Sequence, residues 1–121
     1  MLAERPRPVE IILKQAEKLL EIAFDDGRRF RLPAELLRVE SPSAEVRGHR
    51  PGDRKIVAGR RHVAIMAVEP VGNYAVRLRF DDLHDTGIYS WETLYEMGLR
   101  QDELWQAYLA ALEAGGLSRD P

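Results

Sequence analysis

Residues 74–98 read YAVRLRFDDLHDTGIYSWETLYEMG, and three patterns follow one another in them. Tyr74, Val76, Leu78 and Phe80 alternate with Ala75, Arg77 and Arg79. A period of two is that of a half-buried strand with a polar outer face. The chain then turns polar, with Asp81, Asp82, His84 and Asp85 around a single leucine. From Ser90 the pattern is helical. Ser90 is a good N-cap, Glu92 suits the positive helix start, and Gly98 suits the C′ position just past the end. The stretch predicts a strand, a polar turn and a helix.

Upstream, HVAIMAVEPV (62–71) predicts a second strand, joined to the first through Gly72 and Asn73. The apolar runs VEIILKQ, KLLEIAF and FRLP lie between residues 9 and 33. Asp26-Gly27 between the last two is a hairpin signal, because glycine tolerates positive φ. Residues 9–32 therefore predict a three-stranded antiparallel meander. Pro33 suits the first turn of a short helix, and Pro42 keeps that helix short. Residues 47–62 hold Gly48, Pro51, Gly52 and Gly59 and predict a loop. Downstream, QDELWQAYLAALEA (101–114) puts Leu104, Trp105, Tyr108, Leu109 and Leu112 on one helix face, and Gly115-Gly116 ends it. Strands followed by helices make an α+β fold: a small antiparallel β-sheet domain with a short middle helix and two C-terminal helices. The boundaries read from the sequence are a disordered lead over 1–8, one domain over 9–114 and a disordered tail over 115–121.

A chain of 121 residues fits one domain that buries a core without staples. A net charge of −2 predicts no general attraction to nucleic acid or to anionic membranes. With no cysteine there is no disulfide, thiolate metal site or Cys nucleophile. The first residues lack the apolar run of a signal peptide, and no run approaches a membrane span. The expectation is a soluble cytoplasmic protein.

Two groups of residues invite a chemical reading. Asp81, Asp82, His84 and Asp85 are four candidate ligands or proton carriers for zinc or iron. The plain alternative is a turn whose aspartates face water and cap backbone amides while His84 bonds locally. The second group is the basic loop of Arg47, Arg50, Arg54, Lys55, Arg60 and Arg61, with His49 among them. Such a loop can grip phosphate or form part of a partner surface, and the plain alternative is a solvated loop; it has no aromatic residue on which bases stack, so nucleic acid is not the favoured partner. No phosphate-cradling glycine loop and no Ser nucleophile elbow occur.

The segments LRVESPSAEVRGHRPGDR and VEPVGNYAVRLRFDDLHDTGIYSWETLYEMG, with the opening hairpins, resemble the gamma-butyrobetaine hydroxylase-like N-terminal domain over about residues 9–99. That resemblance implies a non-catalytic module. Its relatives stand alone in bacteria, are fused to iron–sulfur carrier P-loop ATPases, or precede a dioxygenase domain. In the dioxygenases it holds a structural zinc and helps form a dimer. The implied ligands are three cysteines of a C-x-C-x-x-C run and one histidine. Carried onto this chain, the histidine falls on His84 and the cysteines on Ser41, Ser43 and Val46. Serine is a poor zinc ligand and valine is none, so the implied zinc site is degenerate here. Leu83 also replaces the glycine that usually precedes the histidine. The expectation is an interaction module for another protein, or a homodimer, set in iron–sulfur cluster handling or beside a dioxygenase-like partner. It needs no cofactor, and His84 cross-links to the 41–46 loop, with Asp82 or Ser43 as its partner. A metal-binding protein or enzyme using His84 with Asp81, Asp82 or Asp85 is the alternative.

Overall fold

Leu20, Ile22 and Phe24 alternate along one strand and are almost wholly buried, and the rest of the fold is arranged around them. A computed structural model of the chain describes residues 5–42 and 56–121. Ser43, Val46, Arg47, His49, Arg50, Arg54 and Lys55 lie outside the described residues.

Strands β1 (Pro8–Lys14), β2 (Leu19–Phe24) and β3 (Arg29–Pro33) form the expected antiparallel meander in the order β1-β2-β3. Gly27 adopts φ 90° in the β2–β3 turn, as the Asp-Gly pair requires. The outer face of this sheet is held by charge. Glu21 on β2 pairs with Arg29 on β3 and with Lys14 on β1. Helix α1 (Ala34–Val39) follows without a break, and Pro33 is its N-cap as well as the last residue of β3. Its φ of −62° and ψ of 145° are extended, so it stands just before the helical turn and not inside it.

A second antiparallel sheet has the order β4-β5-β6, with β4 at Ile65–Val71, β5 at Ala75–Phe80 and β6 at Gly87–Ser90. Val76, Leu78 and Phe80 are buried and Arg77 and Arg79 are exposed, as the alternation predicts. Two positions depart from it. Tyr74 precedes the strand and is exposed, while Ala75, small and flanked by Val71 and Ser90, is buried. Strand β6 was not anticipated. Four residues, GIYS, are too few to show a period, and they form a strand because β5 offers an edge to pair with.

Ser90 caps helix α2 (Trp91–Leu99), accepting the Thr93 amide at 3.1 Å. Gly98 does not end this helix: it lies inside it, and the C-cap is Arg100. A Cβ built on Gly98 would lie 2.3 Å from the Phe30 ring, so the missing side chain lets α2 approach β3. Phe24, Phe30 and Tyr95 pack edge-to-face around this contact. Helix α3 (Gln101–Ala114) matches its predicted range. It ends in a Schellman turn with Gly116 at φ 65°, where the Leu117 amide donates to Leu112 O and the Gly116 amide to Glu113 O.

One cluster joins the inner faces of both sheets (Leu20, Ile22, Leu32, Ile65, Leu78, Tyr89) to Leu37 of α1 and Leu94 of α2. A smaller cluster of Val39, Tyr108 and Leu112 anchors α3. Described residues near both ends of the chain make backbone hydrogen bonds. The Asp25 amide donates to Arg7 O, the Gly59 amide to Ser118 O and the Arg61 amide to Arg119 O. Among the described residues no helix is long and apolar enough to cross a membrane.

Replacing a helical glycine by alanine ordinarily stabilises a helix by about 1 kcal/mol. At Gly98 the sign reverses, because the methyl group meets the base of the Phe30 ring, which cannot swing away as a flexible tip does. Gly98→Ala is expected to destabilise the fold by about 1–3 kcal/mol. Urea unfolding monitored by the two tryptophans checks this.

Candidate functional site

The polar turn after β5 is braced from several sides. The Phe80 amide donates to His84 O at 3.0 Å, and the Leu83 amide to Phe80 O at 3.1 Å. Asp81 is tied to the chain before β4: its amide donates to Ala64 O, and its Oδ1 accepts the Ala64 amide. The turn closes through Leu83 at φ 73°, a left-handed conformation that a branched apolar residue rarely adopts.

Asp82 is the centre of the site. Its Oδ2 accepts Arg38 Nε and Arg60 Nε, each at 2.7 Å, and its Oδ1 accepts the His84 amide at 3.1 Å. Burial works against the charge of this carboxylate. The Arg38 guanidinium, the His84 amide and Arg60 outweigh that, so its pKa is held below the usual carboxylate range. Arg38 projects from α1 and is 2% exposed. Arg60, expected in a solvated loop, is half-buried, and its Nη1 also donates to Ala58 O.

His84 is buried, and its Nε2 is hydrogen-bonded to Ser41 Oγ at 3.0 Å. The imidazole thus joins the β5–β6 turn to the chain leaving α1, with Ser41 as the observed partner. Space around Ser41 is tight: a Cβ on Gly87 would lie 2.5 Å from its Oγ and 3.0 Å from the Tyr89 ring. Tyr89 is fully buried, and its hydroxyl donates to Leu37 O. Burial pushes that phenol far above the ordinary tyrosine range, which keeps it protonated as a donor.

The turn residues are therefore divided. Asp82 and His84 face inward, but Asp82 is taken up by two guanidinium groups and His84 by Ser41. Asp81 caps a backbone amide, and Asp85 is exposed. Among the described residues no three His, Asp or Glu side chains converge where they could hold a metal ion. The described donors do not make a structural zinc site: one imidazole nitrogen bonded to a serine hydroxyl is not a tetrahedral set. The sequence reading missed Arg38, the cation that matters most here. Nothing local marks it, because its partner lies 44 residues away.

Asp82→Asn keeps the shape and removes the charge facing buried Arg38. Allowing for the partial exposure of Asp82 and Arg60, the expected loss is about 2–4 kcal/mol near neutral pH. A carboxylate whose folded pKa is depressed contributes stability that is complete above its unfolded value, about 3.9, and disappears as pH falls through the lower folded value. Thermal melts should show the gap between wild type and Asp82→Asn constant from pH 7 to about 5, then closing below about pH 4.

Three comparisons bear on kinship. The chain is 46% identical to one protein solved by NMR in solution, over 98% of this chain and 93% of that one, with a TM-score of 0.85. It is 50% identical to a second NMR structure, over 98% of this chain and 89% of that one, with a TM-score of 0.83. A crystal structure from Acidithiobacillus ferrooxidans, described as a protein of unknown function in the DUF971 family, is 40% identical over 76% of this chain and 92% of that one, with a TM-score of 0.65. No curated protein matches. The profile of the gamma-butyrobetaine hydroxylase-like, N-terminal family matches residues 11–95, and the chain belongs to that family.

Proposed function

We propose that the chain is a non-catalytic accessory module that works by binding another protein. The observation behind this is the closed bonding of Asp82 and His84. An acid or base must reach a substrate proton with its own proton state free to change. Asp82 instead accepts from three donors, and His84 is buried against Ser41. Leu83 supports the same reading. It is 89% exposed at the tip of this braced turn and sits in a strained backbone conformation. A strained backbone held at an exposed tip suits a residue that a partner contacts. The setting implied by the family is iron–sulfur cluster handling or a dioxygenase-like partner, and no resident metal is required.

A photo-crosslinking amino acid at position 83, in cells expressing the chain at native level, is expected to give a discrete adduct. The same group at Arg31, on the outer face of the first sheet, is expected to give none. Equal yields at both positions, or none at either, would count against the module. The alternative, a metal protein built on His84, is tested by elemental mass spectrometry of untagged protein. Stoichiometric zinc or iron that disappears in His84→Ala would replace the proposal with that reading.

A further inference from the structure

The segment beyond α3 places a charged side chain in a shaped socket. Arg119 donates from Nε to Glu35 Oε2 at 2.9 Å and from Nη2 to Glu35 Oε1 at 2.7 Å. This is the two-point fork that a guanidinium makes with a carboxylate and an ammonium cannot. The same guanidinium lies 5.0 Å from the centre of the Trp105 ring. Glu35, on α1, is buried, and Trp105, on α3, is half-buried. Around them is a groove of about 290 Å³ lined also by Pro33, Leu36 and Asp102. A buried carboxylate, an aromatic face and a second acidic residue make a site whose chemistry selects arginine.

What holds Arg119 there is slight apart from the socket itself. Two backbone bonds join Ser118 and Arg119 to Gly59 and Arg61. The Arg61–Asp120 pair is exposed, and exposed pairs contribute little. Leu117, Ser118, Asp120 and Pro121 are themselves exposed. The segment leaves the helix through Gly116, at φ 65° in the Schellman turn, a residue type that changes backbone conformation at little steric cost.

We infer that the groove between α1 and α3 is a recognition site for an arginine side chain, with Arg119 as a built-in occupant that an arginine on a basic partner segment displaces. This goes further than the module reading and rests on it only for the source of that arginine. The socket itself is tested with a small probe. If the probe fails, the socket is refuted while the crosslinking result at Leu83 stands, and the reverse also holds.

Arg119→Ala in the full chain empties the socket and is expected to lower the melting temperature by roughly 5–10 °C. N-acetylarginine amide at millimolar concentration should then restore part of that loss and shift the Trp105 indole N–H resonance saturably. Wild type, with its socket filled, should respond at least tenfold more weakly, and N-acetylnorleucine amide should have no effect on either protein. Absence of a saturable shift in the variant would overturn the inference, as would an equal response in wild type or to the norleucine compound. Should Arg119→Ala fail to fold, Arg119→Lys keeps the charge without the fork, and the same probe must displace the lysine. In wild type, the Gly59 and Arg61 amides should exchange hydrogen by local opening, ahead of those in β2 and β5. Exchange of all four groups only on global unfolding would show a fixed segment and end the proposal.

Discussion

The carboxylate of Asp82 accepts hydrogen bonds from three separated parts of the chain: α1 through Arg38, the approach to β4 through Arg60, and its own turn through the His84 amide. The apolar core does not dictate this register. Core residues such as Leu37 and Leu78 would tolerate small slides, since apolar contact has little directionality. Two 2.7 Å bonds converging on one oxygen do not tolerate them. Arg38 in particular is buried, and a buried charge must be met locally. The ion cluster thus contributes less to net stability than to the choice of one arrangement of helix, loop and turn.

The second polar contact, Ser41 with His84, follows from the first. Once Asp82 fixes the turn, the imidazole is directed toward the chain that leaves α1. Gly87 leaves just enough room for the serine hydroxyl, and Tyr89 closes the far side with its bond to Leu37 O. Each of these residues touches the next, so the site is a chain of contacts from α1 to β6. A metal ion could perform such bridging in one step; among the described residues it is made by the hydrogen bond between Ser41 and His84.

Much of the architecture was legible because it is written in short-range periods. The meander over 9–32, the Asp26-Gly27 hairpin, the Ser90 cap and the full extent of α3 all come from residues within a few positions of one another. The misreadings share a different cause. Gly98 looked like a helix terminus, and its role is set by Phe30, far away in sequence. Strand β6 is too short to show a period and exists because β5 has an edge to offer. In the site, His84 and Asp82 were visible as residue types, and a link from His84 to the 41–46 loop was expected, but with Asp82 or Ser43 as the partner and not Ser41. Arg38 and Glu35 were not, since a charged residue on a short helix ordinarily reads as solvated. Their burial depends on partners 44 and 84 residues away, which no window of sequence contains.

Two adjacent arginines connect the site with the surface groove. Arg60 points inward to Asp82, while Arg61 points outward to Asp120 and takes the Arg119 carbonyl with its amide. The Gly59 amide, on the other side of Arg60, bonds to Ser118. The backbone that carries Arg60 is therefore held at both neighbours by the segment that carries Arg119. When that segment lies in place, Arg60 is positioned from both sides. When it lifts, Arg60 keeps its bonds to Asp82 and Ala58 but loses the flanking pairings that order its backbone. Coupling between two sites requires an element that both of them bias. The stretch from Gly59 to Arg61 has that position, with the braced turn of Asp82 and Leu83 on one side and the arginine socket of Glu35 and Trp105 on the other.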